Sequence, residues 1–301
     1  MNLTTDFEHI PYKDGISIKA YKGTEQNIII PDYIDDKPVK KIERKAFLSR
    51  KKVVKLYLSD TVEEIGDWAF AHMESLKKVI ISSNLVSKGK EMFLGCKALE
   101  EILISDDEEK MQESQSLGIG GMLAISIKEF NDYFMLDPDF VGSDKWISRW
   151  DETLIDFINT DDLEGYQELW TCGEEDYEGA EYDIKLYPIE KRKIKLRIVY
   201  FRLLHPYKID AMVKKELENY LLKHTIGTPQ PQAWEIIVNE HANDLEYYKL
   251  LTQTGCINEE NFDLALADME NVNAEIRAYM LRYKEDNFAK DDVFAEFELG
   301  W

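Results

Sequence analysis

Apolar residues in the first third of the chain recur at a fixed interval. Ala46-Phe47, Ala69-Phe70 and Met92-Phe93 lie 23 apart, and so do Val53/Leu76/Leu99, Leu56/Val79/Ile102, Leu58/Ile81/Ile104 and Val39/Val62/Leu85. Ile42 and Ile65 continue the series, which Lys88 breaks. Six positions sharing one period predict stacked coils, because a unit this short cannot bury its apolar face alone and must lay it against its neighbours. Leu56-Tyr57-Leu58, Val79-Ile80-Ile81 and Ile102-Leu103-Ile104 read as short strands, with outer members pointing inward and the middle member outward. The Ala-Phe pair supplies a small residue for close approach and a ring for the interior. Ahead of the repeats, residues 7–12 and 16–21 flank Lys13-Asp14-Gly15, where Asp-Gly favours a tight reversal with positive φ. A hairpin is expected there, shielding the open end of the stack.

The outward members Tyr57, Ile80 and Leu103 form an apolar column, with Lys55, Lys78 and Glu101 beside it. Burying each large apolar side chain is worth about 1.5–3 kcal/mol. The column therefore reads as an interface, covered either by another protein or by the chain's own second half. These six residues are the candidate partner-binding set.

Ile65-Gly66-Asp67-Trp68-Ala69-Phe70 followed by Leu76-Lys77-Lys78-Val79-Ile80-Ile81 resembles the BspA-type leucine-rich repeat, with its I-G-x-x-A-F turn and L-x-x-[IV]-x-[IL] strand. Asn27-Ile28-Ile29-Ile30-Pro31 and Lys37-Pro38-Val39-Lys40-Lys41-Ile42 resemble the opening unit of such arrays. The resemblance covers residues 7–106, with Lys88 and Met92 as departures that suit a degenerate terminal repeat. It implies a curved ligand-binding scaffold of a kind often found on bacterial surfaces.

Beyond the repeats, the charge run Asp106 to Glu109 and the glycines Gly118, Gly120 and Gly121 read as a linker over residues 107–127. Gly118-Ile119-Gly120-Gly121 lacks the spacing of a phosphate-cradling loop. Helical periodicity follows. Residues 190–204 place Ile194, Ile198 and Phe201 on one face between Pro188 and Pro206, and carry a cluster of lysines and arginines expected to neutralise neighbouring carboxylates. Asp162, Asp244 and Asn273 read as helix N-caps. Residues 261–283 read as two helices joined at 270–273, a pair similar to degenerate ankyrin-type repeats. The tail over residues 285–301 mixes acid with Phe288, Phe294, Phe297 and Trp301, and is expected to dock back on its domain. The expected fold is thus α+β multidomain: a leucine-rich-repeat solenoid over 1–106, the linker 107–127, and an all-α helical-repeat domain over 128–301.

Charge sharpens this division. The chain has 301 residues with 37 Lys+Arg against 59 Asp+Glu, a net charge of −22. Up to Gln112 there are 18 basic and 20 acidic residues, so nearly all the excess acid lies in the second part. Such acidity argues against nucleic acid and anionic membrane surfaces as partners. Residues 37–55 form a basic band, read either as a steering patch or as a face that complements acidic groups of the chain itself. No apolar stretch reaches the ~18–20 residues a membrane span needs.

Candidate chemistry is sparse. Cys96, Cys172 and Cys256 are widely spaced, which suits a reducing compartment and supplies neither a disulfide framework nor a zinc set. The N-terminal stretch lacks the basic and apolar regions of a secretory signal, so a cytoplasmic location is expected; removal of a leader would leave the same sequence and keeps the cell surface open. The five histidines form no short metal-ligand pair, His205 reads as a cationic helix terminus, and no calcium-loop pattern occurs, so neither metal nor cofactor is expected. Cys172 beside the carboxylates of residues 174–178 supports an alternative, a hydrolase with its site at the domain junction. The leading expectation is a non-enzymatic interaction protein that recognises another protein; the sequence is silent on oligomeric state.

Overall fold

The structure is a computed structural model that describes residues 4–104, 107–166, 184–269 and 272–288. It divides into two compact units, Met1–Thr153 and Leu154–Trp301. The first is a β-solenoid of about four turns closed by helices, and the second is helical.

The solenoid opens with the hairpin β1 (Phe7–Tyr12) and β2 (Gly15–Tyr21). Its turn falls on Lys13, with φ 50°, one place earlier than expected. Gly15 serves a different purpose, since a Cβ there would collide with the Pro38 carbonyl. Next come β3 (Asn27–Ile29), β4 (Tyr33–Ile34), β5 (Lys37–Ile42), β6 (Lys55–Tyr57), β7 (Glu64–Ile65), β8 (Lys78–Ile81), β9 (Ser87–Lys88) and β10 (Glu101–Ile104). One sheet runs β1-β2-β5-β7-β9, and the other runs β10-β8-β6-β3 with all strands parallel.

Register follows the sequence period. Leu56 pairs with Val79 and Val79 with Ile102, all inward and buried. The return segments are hydrogen-bonded as well. Lys45, Phe47 and Ser49 donate to the carbonyls of Asp67, Ala69 and Ala71, and Trp68, Phe70 and His72 donate to Lys90, Met92 and Leu94. These links pair backbone groups of the return segments from coil to coil, as burial demands. Phe47, Phe70 and Phe93 line up inside, with ring centroids 5.3 and 5.4 Å apart, and Tyr21 and Phe7 extend the stack toward the hairpin.

The expected linker is helical instead. Helices α1 (Glu108–Ser116) and α2 (Ile119–Lys128) occupy residues 107–127 almost completely. Gly118 starts α2 at φ 78°, and Gly120 lets the helix approach β10, where a Cβ would sit 2.8 Å from Glu101 Cγ and 3.0 Å from Leu103 Cδ2. The glycines thus permit close packing over an otherwise open sheet edge. A single helical turn, Tyr133–Leu136, follows. In α3 (Asp144–Asn159), Trp146 and Trp150 are fully buried and donate to the carbonyls of Met135 and Met122.

In the second unit the described helices are α4 (Tyr187–Leu204), α5 (Ala211–Lys223), α6 (Gln232–Glu240), α7 (Leu245–Gln253), α8 (Phe262–Asp268) and α9 (Ala274–Phe288). Asp244 and Asn273 cap α7 and α9 as expected. Asp162 does not cap: its carboxylate bridges Arg192 at 2.6 Å and the fully buried Lys195 at 2.8 Å. Other basic residues of α4 also meet carboxylates, Arg197 with Glu240 and Lys193 with Glu235. Arg202, fully buried, donates to the carbonyls of His205 and Tyr207.

Candidate interaction surface

The outward face of the parallel sheet carries two columns fixed by strand register. Asn27, Lys55, Lys78 and Glu101 align, and two residues further along each strand so do Ile29, Tyr57, Ile80 and Leu103. Ile29 is 59% exposed, Tyr57 and Ile80 are half-buried, and Leu103 is only 3% exposed. Leu103 is therefore a correction to the expected set: α2 lies over it and removes it from the surface. Ile29 belongs to the column in its place. It escaped the periodic reading because it lies 28 residues before its partner Tyr57, the first coil being lengthened by the β4–β5 hairpin.

The polar column is partly self-paired. Lys78 reaches Glu101 at 2.6 Å, whereas Lys55 is exposed with no ion pair among the described residues. Lys78–Glu101 belongs to a wider pattern, in which residues 23 apart stand on adjacent coils and pair: Lys40 with Glu63, Lys51 with Glu74, Lys77 with Glu100. Within the basic band, Lys40 and Lys51 are thus answered by the next coil. Arg44 and Lys45 lie over the Trp68 ring, and Arg50 donates to the Tyr21 carbonyl. Exposed pairs of this kind contribute about 0.2–1 kcal/mol each.

Nucleophilic chemistry finds little support among the described residues. Burial pushes the Cys96 thiol up to about 12 and the Cys256 thiol to about 11, so both stay protonated at neutral pH. Cys172 and the acidic residues 174–178 lie outside the described residues, as do Phe294, Phe297 and Trp301 of the tail. No group of three or more potential metal ligands occurs among the described residues. His205, His224 and His241 end α4, α5 and α6, and burial lowers the pKa of all three. Burial and Arg202 thus disfavour the expected cationic form of His205, whose ring packs on Phe201 at 4.7 Å. No helix among the described residues is long and apolar enough to cross a membrane.

A family model, the BspA type leucine rich repeat region, matches residues 15–127 in six copies, so the first unit carries BspA-type leucine-rich repeats. Among solved structures, a leucine rich repeat protein of T. pallidum is 26% identical with a TM-score of 0.32, covering 36% of this chain and 55% of that one. A leucine rich cell surface protein from Faecalibacterium prausnitzii A2-165 is 30% identical with a TM-score of 0.29, covering 35% of this chain and 32% of that one. The chain thus spans about half the length of the first and a third of the second. A search of the curated proteins found no match.

Proposed function

We propose that this protein is a non-enzymatic scaffold that docks another protein on the outward face of the parallel sheet, through Ile29, Tyr57 and Ile80 with Lys55 beside them. The carrying observation is the apolar column itself, held in register by the strands, with Ile29 59% exposed. The repeat architecture supports the same reading, since leucine-rich repeats generally mediate protein interactions. Lys55, exposed beside the column, favours a partner with an apolar strip flanked by carboxylates. Lys78 and Glu101 serve as the polar margin. The acidic helical domain is a second surface on which a partner would dock. The free Cys96 and Cys256 suit a reducing, cytoplasmic setting.

The test is retention of lysate proteins by the full chain and by Ile29→Ser/Tyr57→Ser/Ile80→Ser. The triple variant is expected to lose a protein that the parent retains, and Lys55→Glu to weaken its retention and reduce its salt sensitivity. Unchanged retention by a triple variant with an unaltered circular dichroism spectrum overturns the reading.

A further inference from the structure

A cavity of 670 Å³ opens in the first unit where the 23-residue period breaks. The coils before it bury Ile42 and Ile65, but the next places Lys88 at that position, and Val86 nearby is 80% exposed. Part of the lining is bare backbone, because Gly89 stacks so closely on Gly66 that a Cβ would overlap the Gly66 carbonyl.

Three aromatic side chains line this space, Trp68, Tyr133 and Phe134; Trp68 is held by contacts to the neighbouring coils, and Phe134 stands in solvent. Trp68 sits in left-handed backbone at φ 51°, a position that holds Lys45 in the coil before and Glu91 in the coil after. A bulky residue is unusual there. Its Nε1 donates to Glu91 at 2.6 Å, and the Arg44 guanidinium and Lys45 ammonium lie 4.4 and 5.3 Å from the ring centre. Phe134 is 80% exposed on a turn that is firmly held. Its flanks Met135 and Leu136 are buried, Asp132 caps its amide and pairs with Arg149 at 2.7 Å, and the Trp146 indole donates to the Met135 carbonyl. Phe134 and Val86, each 80% exposed, both border the cavity.

The polar lining decides the class of ligand. Asp67, Glu91 and Asp137 supply carboxylates, Lys88 and Lys90 ammonium groups, and Asn131 an amide. A purely apolar ligand would strip water from these groups and return no hydrogen bonds. A polyol can both donate and accept at each hydroxyl, so it satisfies carboxylate, amide and ammonium in one pocket. The apolar C–H faces of a pyranose ring would rest on Trp68 and Phe134. The size falls within the usual range for small-molecule sites. We propose that this cavity binds a neutral oligosaccharide, at a site separate from the strand-face column.

The experiment titrates the full chain with cellotriose, maltotriose, xylotriose and chitotriose, read by saturation-transfer NMR and calorimetry, with decaproline as a peptide probe. At least one trisaccharide is expected to bind with a Kd of about 1 mM or tighter, and Phe134→Ser and Trp68→Lys to weaken it about tenfold or more. Both variants should fold: Phe134 is already largely in water, and Lys is what the preceding coil places at that position. An unchanged Tm checks this. Absence of binding by all four sugars at about 10 mM, binding untouched by both substitutions, or decaproline binding in their place overturns the proposal.

Discussion

Removal of the Phe70 ring should cost more than removal of the chemically identical Phe93 ring. Phe70 is fully buried between Phe47 at 5.3 Å and Phe93 at 5.4 Å, whereas Phe93 has a single ring neighbour within the stack. Phe→Ala in a core costs about 3–5 kcal/mol, with the upper end reached where the site cannot collapse. Collapse around Phe70 is hindered from both sides. Phe47 N–H donates to the Ala69 carbonyl at 2.8 Å and Phe70 N–H to Met92 at 2.9 Å, so the coils that would have to close the void are pinned at that level. Each ring contact adds about 0.5–1.5 kcal/mol beyond area, which places Phe70→Ala near 5 and Phe93→Ala nearer 3 kcal/mol. Native-state hydrogen exchange at the buried strand positions Leu56 and Val79 reads the loss within the solenoid, separately from the second unit. A loss below about 2 kcal/mol for Phe70→Ala, or a larger loss for Phe93→Ala, would refute a stack in which each coil is held by its neighbours.

Gly120→Val forces a branched side chain against Leu103 Cδ2 and the Ile102 carbonyl, 3.0 and 3.2 Å from the new Cβ, and should cost about 1–3 kcal/mol, seen as faster amide exchange over α2. Asp162→Asn leaves the fully buried Lys195 without its counter-charge and should cost about 3–5 kcal/mol in urea unfolding, while Arg197→Gln, which breaks an exposed pair with Glu240, should cost under about 1 kcal/mol. Acid should weaken the second unit in two steps. His205, His224 and His241 have folded pKa values lowered from 6.5, chiefly by burial, so the unfolded chain binds their protons first and stability falls as pH drops from 6.5 to each lower folded value. Glu240, lowered from 4.5 by the Arg197 hydrogen bond, contributes stability above 4.5 that is lost as pH falls through its own lower folded value. Urea midpoints that stay flat between pH 7.5 and 5, about the range in which unshifted histidine titrates, would contradict the first step.

What was legible in the sequence was whatever obeys a local rule. The inward ladders and the Phe47–Phe70–Phe93 stack follow from a period that needs no knowledge of the rest of the chain. Tyr21, which stacks on Phe47 at 5.4 Å, was hidden because the hairpin brings it in off the period. Helix α2 was hidden by its glycines, whose propensity penalty is outweighed by the close approach to β10 that they permit. Asp162 looked like a cap because an Asp before Leu-Glu carries that signature; its neighbour Asp161 accepts the Leu163 N–H instead, and the cations that claim Asp162, Arg192 and Lys195, lie about thirty residues further along the chain. The aromatic cavity joins Trp68 to Phe134 across a separation that no motif spans.

A period of 23 makes each coil the partner of the next, for apolar and charged groups alike. Leu56 meets Val79 and Lys78 meets Glu101 by the same displacement, so a side chain that keeps the period finds its partner within the chain. Departures from the period therefore carry the most information. Met92 departs at the Ala46 and Ala69 position yet is fully buried, so its departure is absorbed by packing. Lys88 and Trp68 depart differently: one stands where isoleucine was buried, the other places an indole in strained backbone where the adjoining coils hold Lys45 and Glu91, and both border the same cavity. Packing alone would favour a third isoleucine at the first of these places. Their co-location at one opening, facing a Phe134 held out in solvent, is the reason to seek a ligand there rather than in the regular part of the array.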